Sequence, residues 1–200
     1  MGSNPSKNNL TQEERIALIM MPVYYIAGAS PQDADVTQKS WKQIVDGTAP
    51  PYLEEQKNPK FSLSASNWFN KIFFDRLFEL NPSSRSFFTQ SVQNSRVLEK
   101  MIHMVTTASV DENFGETLRN VVVKHCEKGI KAVEYGTMGE ALLYALGQAL
   151  GPLNTPEVVM AWRKQYSEIL RLTIPVIIEY ERAGGKYSGN AAERDSSMHR

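Results

Sequence analysis

From Asp35 to Arg182 the apolar residues recur three and four positions apart, and nowhere do they alternate over the length of a strand. A chain patterned this way buries stripes along helices, so the fold class is all-α. Val36, Trp41, Ile44 and Val45 form a first stripe that ends near Gly47. SASNWFNKIFFDRLFEL predicts a helix over 64–80, with Ser64 or Ser66 as its cap and Trp68, Ile72, Phe73, Leu77 and Leu80 on its apolar side. Asn81-Pro82 stops it, because the residue before a proline avoids helical backbone. Further helices are expected near 95–110, 114–128 and 138–150. Thr155-Pro156-Glu157 combines a cap, a proline at the first helical position and a first-turn acid. The helix it starts reaches Arg182, with a bend expected at Pro175. TAPPYLEEQKNPKFSLS, 48–64, carries three prolines and no clean period, and is expected as a long loop. The organisation read from these signals is an N-terminal extension over 1–35, a helical domain over 36–182 and a polar tail over 183–200.

Two hundred residues suit one domain. Lys+Arg and Asp+Glu stand at 22 each, so no net field draws the chain toward nucleic acid, and no nucleic-acid partner is expected. A single cysteine, Cys126, leaves no internal disulfide and fits a reducing, cytoplasmic compartment. The most apolar run, Ile16 to Ile26, is about half the ~20 residues of a membrane-spanning helix and contains Pro22. The start, MGSNPSK, fits the N-myristoylation pattern with Gly2 as acceptor. One such chain binds membranes marginally, so peripheral membrane contact needs a second element, for which the run 16–26 is the candidate. The plainer reading of that run is a helix packed on the core.

His125 is one of three histidines, with apolar residues crowding just upstream. A lone helical histidine is ordinarily a satisfied or exposed residue. Here it opens KHCEKGIKAVEYGTMGEALLYAL, with a glycine four residues later, an aromatic ten later and then Gly-Glu-x-Leu-Leu. LFELNPSSRSFF places Phe88 six residues after Pro82, Trp41 stands in the first helix, and Trp162 with Tyr166 stands in the last. In order and spacing these features resemble the globin family, its neuroglobin-like members in particular, from Val36 to Arg182. The resemblance implies a globin fold of about six to eight helices around a haem pocket, here with an extra N-terminal segment. It implies haem b (iron protoporphyrin IX) as cofactor and His125 as the proximal iron ligand. Phe88 would lie over the haem, and Val122, Ile130, Tyr135 and Met138 around it. The chemistry agrees, since haem iron takes a neutral imidazole presented from a rigid element among apolar neighbours.

On the distal side the count of ten from Phe88 falls on Leu98, where neuroglobin-like sequences hold a histidine, and one turn later on Ile102. With Phe74 and Phe88 these make an apolar quartet, offering bound oxygen no donor and the iron no sixth ligand. His103, one position past Ile102, points about 100° away on a helix. Gln90 and Gln93 are alternative donors in a shifted register. Cys126 shares no face with His125, Lys124, Lys128 and Lys131 read as a solvated face or as propionate partners, and the eight methionines as core filler.

These features imply a haem globin that binds a diatomic gas (O2, NO or CO) in a redox, NO-reacting or sensing role rather than bulk oxygen transport. NO dioxygenation or nitrite reduction stays open and requires an electron-donating reductase, because 200 residues leave no room for a fused flavin domain. The alternative is a globin-fold interaction module without haem. Such a module has no use for His125 and Phe88 together.

Overall fold

The computed structural model describes residues 26–88, 91–108 and 114–184. Gly2, the apolar run up to Tyr25, Gln90, the side chain of Gln93 and the tail from 185 lie outside the described residues. Within them the chain is all-α, with seven α-helices and two 3-10 turns. The helices are α1 Pro31–Val45, α2 Pro50–Glu55, α3 Ala65–Leu80, α4 Ser91–Thr107, α5 Phe114–Glu127, α6 Ala132–Leu150 and α7 Pro156–Arg182. The 3-10 turns, Pro82–Phe87 and Gly151–Leu153, follow α3 and α6. Among the described residues no helix is long and apolar enough to cross a membrane.

Three elements differ from the sequence expectation, each for a local reason. α1 starts at Pro31, inside the stretch read as a connector, because Ser30 and Asp33 form a capping box: Ser30 Oγ accepts from the Asp33 N–H at 3.2 Å, and Asp33 accepts from the Ser30 N–H at 2.9 Å. The expected loop over 48–64 contains α2, whose two prolines occupy the first helical positions, where a missing N–H costs nothing. Tyr52 of α2 is buried and donates its hydroxyl to the Leu63 carbonyl at 2.9 Å, drawing the rest of the segment back beneath it. α6 begins at Ala132, six residues before the expected Met138, because the Glu134 carboxylate accepts from the Lys131 N–H and closes its first turn. α7 runs through Pro175 as one continuous helix.

The core is built where α3 packs along α6 and where α7 packs on α1, α5 and α6. Phe69, Phe73 and Leu77 of α3 are fully buried, and Trp41 of α1 meets Phe69 edge-on at 5.0 Å. Trp162 of α7 is 0 % exposed and donates its indole N–H to Ser40 of α1 at 2.9 Å, which satisfies the polar atom that burial would otherwise strand. The backbone N–H of Ile26 donates to the buried Ser167 hydroxyl at 3.1 Å, so the residues before α1 are already tied to α7.

At Gly139 the backbone of α6 lies directly against the Tyr166 ring of α7. A Cβ built there would sit 2.4 Å from Cε1 of Tyr166, a buried ring that cannot swing away. Gly139→Ala is therefore expected to force α6 and α7 apart and destabilise the fold by about 1–3 kcal/mol, the usual cost of overpacking. Urea unfolding of the variant beside wild type measures it.

Candidate functional site

The site is set by the way α5 ends. Gly129 takes the left-handed conformation (φ +82°), the Ile130 N–H reaches back to the His125 carbonyl at 3.0 Å, and the Gly129 N–H reaches the Cys126 carbonyl at 2.9 Å. These two bonds make a Schellman motif, which satisfies the last carbonyls of the helix and reverses the chain. The reversal carries the first turn of α6 back against the last turn of α5. There the Tyr135 hydroxyl lies 2.8 Å from His125 Nδ1. Tyr166 of α7 donates its own hydroxyl to the Tyr135 carbonyl at 2.5 Å, so the backbone of that tyrosine is held as well as its side chain.

His125 lines a cavity of about 250 Å³. α4 supplies Lys100, Met101, Met104 and Val105; α5 supplies Leu118, Val121 and Val122 beside the histidine; Tyr135, Met138, Tyr166 and Ile169 close it. Except for Lys100, which is exposed, and the two bonded tyrosine hydroxyls, this wall is apolar. Burial, and secondarily the charge of Lys128, push the His125 pKa below its ordinary value, so the imidazole stays neutral. Burial foremost raises the pKa of Tyr135, which remains a phenol. When Nδ1 carries the proton it donates to the Tyr135 oxygen, and the lone pair of Nε2 is then available to a metal. Among the described residues no cluster of three or more histidine, cysteine or acidic side chains forms an all-protein metal site. The donor set here is one imidazole, two phenols and thioethers.

Of the residues the sequence singled out, His125, Val122, Tyr135 and Met138 meet at this cavity. Ile130 packs against the core at its edge. Leu98 and Ile102 are buried in the core, with Phe74 and Phe88 packed on it and on each other at 5.1 Å, but none of these four lines the cavity. The face that α4 turns to the cavity is the neighbouring one, carrying Met101 and Met104. His103 is exposed, and Cys126 is buried with a thiol that burial foremost raises above its ordinary pKa. Sequence reasoning left out Met101, Met104, Leu118 and Ile169, because a periodic pattern gives the apolar stripe of a helix but not its rotation to within one residue.

The Globin family model matches residues 71–171, from the second turn of α3 into α7. The chain is 28 % identical over 123 residues to Flavohemoprotein of Bacillus subtilis, an alignment that covers 58 % of this chain and 31 % of that protein. To Flavohemoprotein of Rhizobium meliloti it is 26 % identical over 168 residues, covering 80 % of this chain and 38 % of the other. To Neuroglobin of Danio rerio it is 29 % identical over 115 residues, covering 50 % of this chain and 72 % of the other. The chain thus spans about a third of the length of these flavohemoproteins. With an all-α fold, a match across half the chain and a histidine presented at the end of α5, the chain belongs to the globin family.

Proposed function

We propose that this chain holds haem through His125 and binds a diatomic gas at the iron, in a redox, NO-reacting or sensing role rather than in bulk oxygen transport. The observation that carries the reading is the pairing of a neutral, part-buried imidazole with an apolar cavity and a hydroxyl on its second nitrogen. Haem b, when bound, would supply the iron that holds O2, CO or NO.

The residues present fit that group. A metal ligand must be deprotonated, and burial of His125 favours the neutral ring. Tyr135 holds the ring plane, the usual task of a second partner to a ligating histidine, and with the proton on Nδ1 it accepts there and leaves Nε2 for a metal. Val121, Val122 and Leu118 keep water from the imidazole, and Lys100 at the exposed edge suits a carboxylate such as a propionate. The cavity is below the range of about 300–1,000 Å³ usual for ligand sites, so admitting a macrocycle requires α4 to move away from α5. The apolar side chains Phe74, Phe88, Leu98 and Ile102 lie on the α3–α4 side and become its surroundings on that movement.

The relatives support the class of the reading, since their names mark them as a neuroglobin and as flavohemoproteins. Electrons for any turnover come from outside the globin domain, through a reductase partner. Acylation at Gly2 would put the same chemistry at a membrane surface and otherwise leave it in the cytoplasm. Mass spectrometry of the protein expressed with an N-myristoyltransferase decides that.

The reading has three direct consequences. The purified chain takes up one haem with a strong Soret band, and His125→Ala abolishes the band; uptake indifferent to His125 would leave the haem-free interaction module as the better account. Tyr135→Phe retains haem more weakly by about 10–100-fold, the usual effect of losing a partner of a metal ligand, measured as the rate of haem transfer to an acceptor globin. Finally, the folded state resists protonating His125 while the unfolded chain accepts the proton near its ordinary pKa, about 6.5. The unfolded state therefore binds more protons below that value, and stability falls as the pH drops through it. Urea midpoints of the haem-free protein taken at about pH 7.5 and about pH 5 should fall further for wild type than for His125→Gln.

A further inference from the structure

The cavity lies between α4 and α5, which both pack on α7 and make almost no direct contact with each other. Lysines gather around its histidine. Elsewhere on this chain a lysine is ordinarily paired: Lys39, Lys42, Lys57, Lys71 and Lys164 each lie within 3.4 Å of a carboxylate. Among the described residues Lys60, Lys100, Lys124, Lys128 and Lys131 make no ion pair. Lys60 stands before α3, and Lys100 belongs to the cavity edge described above. The other three flank His125 with no carboxylate to hold.

Lys124 precedes His125 in the last turn of α5, and Lys128 follows four positions later, so the two share a face. The Lys128 N–H still reaches the His125 carbonyl at 3.1 Å, and its charge is felt at the imidazole. Lys131 leads into α6 after the Gly129 turn. All three side chains are exposed, as is Glu127 beside Lys128. Glu134, the next acid, uses its carboxylate to accept from the Lys131 N–H. Two residues past Lys131, Val133 is 64 % exposed, the most exposed large apolar side chain of the described residues.

We propose that Lys124, Lys128, Lys131 and Val133 form the docking surface for an acidic electron-donating protein. This rests on the proposed haem function and gives its reductase partner a place to bind. Three cations without carboxylate partners keep their field for an incoming protein, and an apolar side chain within a polar rim is the usual anatomy of an interface. Electron-transfer encounters sit at the small end of the size range, so one corner of the molecule suffices. A bilayer or a nucleic-acid backbone presents uniform negative charge and repels Glu127. A protein can set a cation opposite that residue and carboxylates opposite the lysines. The step served is the loss of one electron by the donor's reduced flavin or iron–sulfur centre and its gain by ferric iron, with no bond made or broken. The lysines hold the two proteins together and take no part in it.

The test follows association of the full chain, haem-loaded and haem-free, with immobilised flavodoxin as the acidic probe and cytochrome c as the basic one. It is run at ionic strengths of about 20 mM and about 200 mM, on either side of strong screening. Wild type is expected to bind flavodoxin with a rate that falls with salt, and to ignore cytochrome c. Lys124→Gln/Lys128→Gln/Lys131→Gln loses about tenfold or more of the low-salt rate and most of its salt dependence. The same three positions changed to arginine keep the wild-type rate, which separates lost charge from lost structure. Lys39→Gln/Lys42→Gln/Lys57→Gln, with the same change in net charge on another face, also keeps it. Wild type that does not bind flavodoxin overturns the assignment, as does binding untouched by the glutamine variant or weakened equally by the control. Binding to phosphatidylserine vesicles in place of flavodoxin, lost in the same variant, gives the surface to a membrane and overturns it too. Failure of the haem reading shows separately, as a Soret band indifferent to His125, while docking is also scored on the haem-free chain.

Discussion

A phenol packed against a glycine sets the geometry of the cavity. Because Gly139 has no side chain, α6 lies close enough to α7 for the Tyr166 ring to cover it. From that position the Tyr166 hydroxyl reaches the Tyr135 carbonyl, and Tyr135 in turn reaches the His125 ring. The imidazole is thus referred, through two tyrosines, to α7, the longest of the described helices. This is how an active side chain is usually held: by residues whose own positions are fixed by packing. The Schellman turn at Gly129 supplies the other half of the constraint by deciding where the chain re-enters after α5.

Much of this was legible in the amino-acid order, and the reasons are physical. Ser64, Asn81-Pro82, Gly129 and Thr155-Pro156 are strong punctuation because each acts on its own backbone, and each stands at an observed boundary or within two residues of it. The ten-residue interval from His125 to Tyr135 was visible as a pattern and turns out to be a hydrogen bond. What stayed hidden depends on partners distant in sequence or on side chains doing unusual work. α2 reads as loop because prolines break helices everywhere except at their start, and nothing local says which case applies. α6 carries no serine, threonine or aspartate at its start, and its cap comes from Glu134 inside the helix.

The face of α4 was the harder problem. Leu98, Met101, Ile102, Met104 and Val105 are all apolar, so the stripe is wide, and hydrophobicity alone cannot say which edge meets the core and which meets the cavity. Leu98 and Ile102 go to the core, with Met101 and Met104 at the cavity. The decision is made by α1, α3 and α7, against which α4 packs, and not by any signal within α4 itself.

The separation of α4 from α5 also bears on how the protein survives. Two neighbouring helices that lean on a third but not on each other leave apolar surface uncompensated until something fills the gap. Anything that binds the folded chain there, and not the unfolded one, adds stability by mass action, about 2.7 kcal/mol when its free concentration is a hundred times its dissociation constant. For a chain of ordinary marginal stability that increment changes the unfolded population roughly a hundredfold. Proteases and chaperones sample that population, so the steady amount of this protein is coupled to the supply of whatever occupies the cavity, with no dedicated regulator required.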